Sequence, residues 1–353
     1  MAELAFSAGD LAQLRFAVTP MWQVVTGYRL LRGGASCPPV HRPWAEQVGP
    51  RLAAAGLDRG WLAELVPPAG FYPKFLNPAP AGPAPTLEQE LTALRSSPPE
   101  LVHRDLDHLE HHRGPLGPRA RALRQAPEQA LARLAQEIRT YWDVALAPYW
   151  ARIRAVLDTD VMHRARQVAE HGAGRVLNDL HAAVNWDGDV LHLTRWSKPL
   201  ARSAAGPGLV LVPSAFTGPR VPTRVAPPDA PQLVYPARGA GTLWAPAPAA
   251  GTDALAAVLG RSRTRLLAEL DTPASTTQLA HRTGLSPAGV SQYLTALRAA
   301  GLVSAHRVGR SVLYARTAAA ETLLDAAATA RPDDTAGTAV RAPTAVARWR
   351  HER

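Results

Sequence analysis

The stretch TPASTTQLAHRTGLSPAGVSQYLTALRAAGLVSAHRVGRSVLYAR, residues 272 to 316, contains the signals for two short helices, a tight turn and a β-hairpin. Ser275 or Thr276 can cap the first helix. Gly284 follows this helix, at the place where a left-handed backbone commonly ends one. The order of helix, turn, helix and hairpin predicts a winged helix-turn-helix domain.

The second helix of this stretch has one apolar face and one polar face. Ser286 can cap it, with Pro287 at the first helical position, where no hydrogen bond is lost. Val290, Leu294 and Leu297 recur at i, i+4 and i+7 and therefore form a buried stripe. The opposite face is small and polar, as entry into a major groove requires. The expected DNA contacts from the two helices and the turn are Thr276, Thr277, Gln278, Ser286, Ala288, Gly289, Ser291, Gln292, Thr295 and Arg298.

A β-hairpin is predicted after Gly301, because the apolar residues from 302 to 314 switch to a period of two. We place its turn at residues 306 to 310. Arg307 and Arg310 then lie at the tip, and guanidinium groups suit phosphate or minor-groove contact. These two arginines complete the predicted DNA interface.

Residues 253 to 328 resemble the winged-helix domain of ArsR-type bacterial transcriptional regulators, above all in GLSPAGVSQYLTALRAAGLVSAHRVGRSVLYA. The resemblance implies a homodimer that binds an inverted repeat in a double-stranded operator, usually as a repressor released by an effector. Metal sensors of this family carry a cysteine pair in the helix before the reading helix. The matching residues 269 to 279 read ELDTPASTTQL, so we expect no thiolate metal site and no cofactor.

The charge of the chain agrees with a DNA partner. Its net charge is +10 and its isoelectric point is near 10.5, a balance that favours polyanions. Residues 253 to 316 contain eight arginines and three acidic residues, so this segment carries half of the excess. The single cysteine, Cys37, excludes an intramolecular disulfide. With no visible signal peptide and no apolar run of about 18 residues, we expect a cytoplasmic protein.

The length of 353 residues exceeds one winged helix, so further domains are expected before it. We predict a helical segment at 1–85, a dimerisation or effector region of long helices and a small antiparallel sheet at 86–246, the winged helix at 253–328 and a flexible tail at 329–353. The fold class is α+β, with a hinge at 245–251. The N-terminal region also resembles, less specifically, that of some actinobacterial ArsR-like regulators, in LRFAVTPMWQVV and LVYPARGAGTLW.

The N-terminal region shows both helical and strand periodicity. Helical spacing occurs at residues 11–18, 21–31, 44–55, 57–65, 127–158 and 159–181. The 127–158 helix has an apolar side from Leu131 to Ile153, which we expect to supply part of a dimer interface. Strand signals occur at residues 183–186, 190–193, 208–213 and 232–235, and residues 2–6 can add an edge strand.

The N-terminal region contains motifs of chemistries other than DNA binding. The glycine pairs at 172–174 and 239–241 lack the third glycine of a dinucleotide loop, so we expect no enzyme and no catalytic residues. The cluster from His103 to His112 places His108 and His112 at i, i+4, which can hold zinc or nickel, but we favour a solvated helix face. The alternatives are a metal-responsive sensor using this cluster and a winged helix that serves only dimerisation. An aromatic pocket for an unknown small-molecule effector, near Trp142, also stays open.

Overall fold

The computed structural model describes residues 2–5, 8–188, 190–194, 206–218, 221–244, 252–309 and 311–329. The predicted hinge at 245–251 lies outside these residues, as does the predicted tail beyond residue 329. Within the described residues, no helix combines the length and the apolar character that a membrane crossing requires.

Helices dominate, and small sheets separate them. The helices are α1 (Ala8–Ala12), α2 (Pro20–Arg32), α3 (Arg42–Ala54), α4 (Trp61–Leu65), α5 (Leu87–Arg95), α6 (Pro99–Arg113), α7 (Pro118–Gln125), α8 (Pro127–Tyr141), α9 (Trp150–His171), α10 (Ala173–Asn178), α11 (Thr252–Leu259), α12 (Arg261–Glu269), α13 (Thr276–Thr283), α14 (Pro287–Ala299) and α15 (Ala318–Thr329). The strands are β1 (Ala2–Ala5), β2 (Arg15–Phe16), β3 (Val184–Asp187), β4 (Val190–Leu193), β5 (Val210–Ser214), β6 (Thr223–Arg224), β7 (Gln232–Pro236), β8 (Val303–Val308) and β9 (Ser311–Arg316). The α+β fold class is confirmed.

The N-terminal helices follow their local signals except at residues 11–18 and 57–65; the latter form a 3-10 turn at Leu57–Arg59 followed by the short helix α4. Thr19 caps α2 by accepting a hydrogen bond from the Trp22 backbone N–H, and Pro20 occupies the first helical position. The helix predicted at residues 11–18 is wrong, because α1 ends at Ala12. Arg15 instead begins β2, where its backbone N–H bonds to the carbonyl of Leu209. Pairing with a buried strand overrides the helical spacing here.

The single helix predicted at residues 127–158 is broken. Helix α8 ends at Tyr141, a π-helical turn runs over Trp142–Leu146, and a 3-10 turn over Ala147–Tyr149 precedes α9. Pro148 explains the break, because it has no N–H to donate and its ring clashes with the carbonyl four residues earlier. Helix α9 continues through residue 159 to His171, so the helix predicted at 159–181 is also wrong in its bounds.

The apolar side of α8 and α9 is core rather than a dimer surface. Leu131, Leu134, Ile138, Leu146 and Ile153 are at most 1% exposed and belong to one large apolar cluster. This cluster also contains side chains of α2 to α7, so segments 1–85 and 86–246 share a core. The expectation that this side supplies a dimer interface is therefore wrong.

The strands form two N-terminal sheets instead of one. Strand β4 pairs antiparallel with β1 and β3, so the predicted edge strand at the N-terminus is confirmed. Strands β2, β5 and β7 run parallel, and β6 joins β7 antiparallel. The prediction of one small antiparallel sheet is therefore wrong for β2, β5 and β7. Every residue of β5 is buried, as is typical of a parallel strand covered on both faces.

The C-terminal domain packs against the N-terminal region through its hairpin and last helix. Val308 of β8 packs on the large apolar cluster, and β8 and β9 lie beside the segment Trp142–Tyr149. The Arg152 guanidinium of α9 donates to the carbonyl of Asp271 at 3.2 Å. Helix α15 also lies against α9. The irregular turns between α8 and α9 therefore form part of the surface on which the hairpin packs.

Candidate nucleic-acid interface

Helix α13 begins at a capping box. The Ser275 side chain accepts from the backbone N–H of Gln278, whose side-chain oxygen accepts in turn from the Ser275 N–H at 2.9 Å. Ser275, and not Thr276, is therefore the cap. Gly284 ends the helix with a φ of +67°, in the left-handed region that favours glycine. The amide oxygen of Gln278 already accepts one hydrogen bond, and its amide NH₂ group is a free donor for a DNA partner.

Helix α14 is held against the domain by its predicted apolar stripe. Ser286 caps it by accepting from the Gly289 N–H at 3.2 Å, with Pro287 at the first position. Val290, Leu294 and Leu297 are at most 2% exposed within the domain's apolar cluster. Their burial fixes the rotation of α14 and therefore decides which side chains face outward.

The outward face of α14 carries the predicted contact residues. Ser286, Ala288, Ser291, Gln292, Thr295 and Arg298 are exposed, and Gly289 is half-buried. The Thr295 hydroxyl donates to the carbonyl of Ser291 at 2.9 Å, so its oxygen is left only as an acceptor. Gln292 makes no hydrogen bond to any residue that the structure describes and keeps both its donor and its acceptor. It is the best-equipped side chain on this face for reading a base edge.

The first turn of α14 is tightly packed, and the first turn of α13 is largely exposed. A Cβ at Gly289 would come within 3.2 Å of the Ser286 hydroxyl oxygen, so a larger residue there would press on the cap. Thr277 and Gln278 are exposed at the start of α13, whereas Thr276 is half-buried. Helix N-termini present free N–H groups that suit phosphate oxygens. These two turns can therefore position a DNA backbone beside α14.

The hairpin, or wing, has a shorter turn than predicted. Strands β8 and β9 pair antiparallel up to Val308 and Ser311, so the turn lies between these two residues. Gly309 has a φ of +59°, as two-residue hairpin turns require. Arg307 lies within β8 and is exposed, so it is on the strand and not in the turn. Arg310 lies outside the described residues.

The structure separates two further arginines, Arg316 and Arg263, that a count of charges treats alike. Arg316 is 4% exposed, and its guanidinium donates to the carbonyls of Leu267 and Ala268, so its charge serves the fold. Arg263, absent from the predicted contacts, is exposed and its guanidinium lies 5.6 Å from the centre of the Tyr293 ring of α14. The run RSRTR at residues 261–265 is the signal that could have pointed to it.

The C-terminal domain matches a known protein family. A family model described as "Bacterial regulatory protein, arsR family" matches residues 264–305. The C-terminal domain is an ArsR-type helix-turn-helix domain. The match runs from within α12 into β8, and it supports a DNA-binding transcriptional regulator. Comparisons with curated proteins and with solved structures gave no match.

The histidine cluster of α6 lies far in sequence from the ArsR-type domain and is engaged in other contacts. The ring of Phe71 packs on His108 and His112, with centroids 5.2 and 6.1 Å away. The neighbouring carboxylates of Asp107 and Glu110 both pair with Arg124, at 2.6 and 2.9 Å. Over the part of the chain that the structure describes, no three His, Cys, Asp or Glu side chains are grouped to hold a metal ion. The geometry thus favours the DNA interface over this cluster.

Proposed function

We propose that the protein binds an inverted-repeat operator as a homodimer and represses transcription there. The observation that carries this proposal is the exposed polar face of α14, because its apolar face is fully used in the domain core. In this arrangement α14 enters the major groove and reads one half-site. The start of α13 and the wing then hold the phosphate backbone.

The test is footprinting of the full chain on the DNA upstream of its own gene. We expect protection of two half-sites whose centres are about one helical turn apart, or a multiple of it, because the symmetry of a dimer sets that spacing. A single unpaired half-site would contradict the homodimer. Uniform weak binding without any protected site would favour the alternative in which the winged helix serves only dimerisation.

The proposed homodimer needs an interface other than the apolar side of α8 and α9, because that side is buried in the core of the chain. Met162 of α9 is 73% exposed and Val258 of α11 is 80% exposed, and both are large apolar side chains. Helix α15 lies against both of these helices. We propose that Met162, in the N-terminal region, contributes to the dimer together with Val258.

Met162→Glu is expected to raise the dimer dissociation constant at least about tenfold, because burying an unpaired carboxylate costs more than 1.4 kcal/mol. Sedimentation equilibrium of the full chain measures this constant. Ala53→Glu introduces the same charge at an exposed position of α3 and serves as the control. Equal dissociation constants for the two variants would remove Met162 from the interface.

Arg307→Ala is expected to weaken binding to operator and random DNA to the same extent. If its guanidinium contacts a phosphate, the slope of log affinity against log salt flattens by about one unit. Binding titrations at four or five salt concentrations on both DNAs measure the slope. An unchanged slope would place Arg307 away from the DNA backbone.

A further inference from the structure

A cleft of about 390 Å³ opens beside the break between α8 and α9. Trp142 and Trp150 form its aromatic wall, and both are half-buried. Their ring centroids are 4.8 Å apart, with the planes at 60°. Eight residues of a regular helix span about 12 Å along its axis, so the two side chains lean together across the irregular turns. Both indoles also line the open cleft and can contact a ligand there.

Most charged groups that line the cleft are already paired. The Arg139 guanidinium holds both oxygens of Glu88, at 2.9 and 2.6 Å. The Nε atom of Arg154 donates to both oxygens of Asp158, at 2.9 and 2.8 Å. In these ion pairs a carboxylate balances the positive charge of each arginine. The lining therefore contains no strong site for an anion.

Asp143 is the exception in this lining. Its carboxylate forms no hydrogen bond and no ion pair with any residue that the structure describes. Partial burial raises the pKa of Asp143 above its usual value, and the charge of nearby Arg139 offsets this only in part. Asp143 is exposed to the open cleft, and its carboxylate has no bonded partner there. A cation that entered the cleft would supply one.

We propose that this cleft binds a small organic cation with an apolar body. The charged group would lie beside the Asp143 carboxylate, and the apolar body would contact the indoles of Trp142 and Trp150. Indole rings attract cations through their negative faces, and they also offer a large apolar area. The volume falls within the range of sites for small molecules. An organic anion would meet Asp143 with its own charge.

The segment that carries Trp142 also forms part of the surface on which the wing packs. The segment Trp142–Tyr149 lines the cleft with its first residues and lies against β8 and β9. Val308 packs on the apolar cluster that includes Leu146 and Tyr149. Irregular π-helical and 3-10 turns shift at lower cost than a regular helix. A cation that separates the two indoles would therefore move the wing. This second half of the inference rests on the proposed DNA-binding function.

Calorimetric titration of the full chain tests the site with two probes of the same shape and opposite charge, tetraphenylphosphonium and tetraphenylborate. We expect one phosphonium cation to bind per chain and tetraphenylborate to bind at least about tenfold more weakly. Asp143→Asn should weaken phosphonium binding about tenfold, and Trp142→Leu should weaken both probes. Asp187→Asn, an exposed change on β3 that removes the same charge, should leave binding unchanged.

Two outcomes would overturn the site. One is tetraphenylborate binding as tightly as the cation, and the other is equal affinity for Asp143→Asn and Asp187→Asn. Coupling is tested separately, by operator affinity with and without saturating phosphonium. We expect a change of about fivefold in the natural chain and none in Asp143→Asn. Bound cation with unchanged operator affinity would refute the coupling. A chain that binds no operator at all would refute the proposed function while leaving the calorimetric result intact.

Discussion

Arg316→Ala is expected to destabilise the ArsR-type domain by about 3 to 5 kcal/mol, the usual cost of removing one partner from a buried ion pair. The Arg316 side chain joins the end of β9 to the last turn of α12, where it donates to the carbonyls of Leu267 and Ala268 at 2.6 and 2.5 Å. It also pairs with Glu321 of α15 at 3.3 Å. Alanine would leave two carbonyls and a carboxylate without this partner.

The effect should be local, so the measurement must be local as well. No tryptophan lies between residues 252 and 329, so tryptophan fluorescence gives no direct signal from α12 or α14. Hydrogen exchange of the α12 and α14 amides gives the opening free energy directly. Arg307→Ala removes an exposed arginine from the same hairpin and should change that energy by less than about 0.5 kcal/mol.

Arg316→Lys separates charge from geometry. Lysine keeps the positive charge near Glu321 but has no planar fork to reach two carbonyls at once. We expect an intermediate loss of stability for this variant. Exchange rates in Arg316→Ala that match those of the natural chain would show that the buried pair contributes no net stability.

The helix-turn-helix was readable from the sequence because its signals are local. The cap at Ser286, the proline after it and the left-handed glycine at 284 each act within four residues. The apolar stripe of α14 then decided which face is exposed. Local chemistry thus sufficed for the helices, and with them for the geometry of the candidate interface.

Features that depend on distant residues were not readable in the same way. Periodicity indicated an apolar side from Leu131 to Ile153, but it could not say whether the chain itself or a second copy covers that side. Likewise, β5 and β7 show strand signals, whereas their parallel pairing depends on helices that cover both faces. Charge counting could not separate buried Arg316 from exposed Arg307. In each case the missing information is tertiary contact.

Sequence reasoning also missed the α8–α9 break, although its cause is visible. Pro148 stands inside an apolar period that continues smoothly on both sides, and the spacing alone favoured one helix. The proline removes a donor and adds a clash, and the chain responds with two irregular turns. A proline within a helical pattern outweighs the pattern.

Gln292→Ala is expected to lower operator affinity by about 1 to 3 kcal/mol, or roughly 5-fold to 150-fold, while binding to random DNA hardly changes. Gln292 is exposed in the second turn of α14, and its amide can pair with the two groups that adenine presents in the major groove. Its removal takes away base recognition and no charge. The loss should therefore appear on the operator alone.

The measurement is a set of binding titrations on the operator, on random DNA and on operators with one base pair changed at a time. The Gln292→Ala chain should become indifferent to one base pair in each half-site and keep its preference at the others, because one side chain reads one position. Gln125→Ala, an exposed change at the end of α7, serves as the matched control and should bind like the natural chain. Equal losses on operator and random DNA would mean that α14 does not read bases, and the placement of this helix in the major groove would fail.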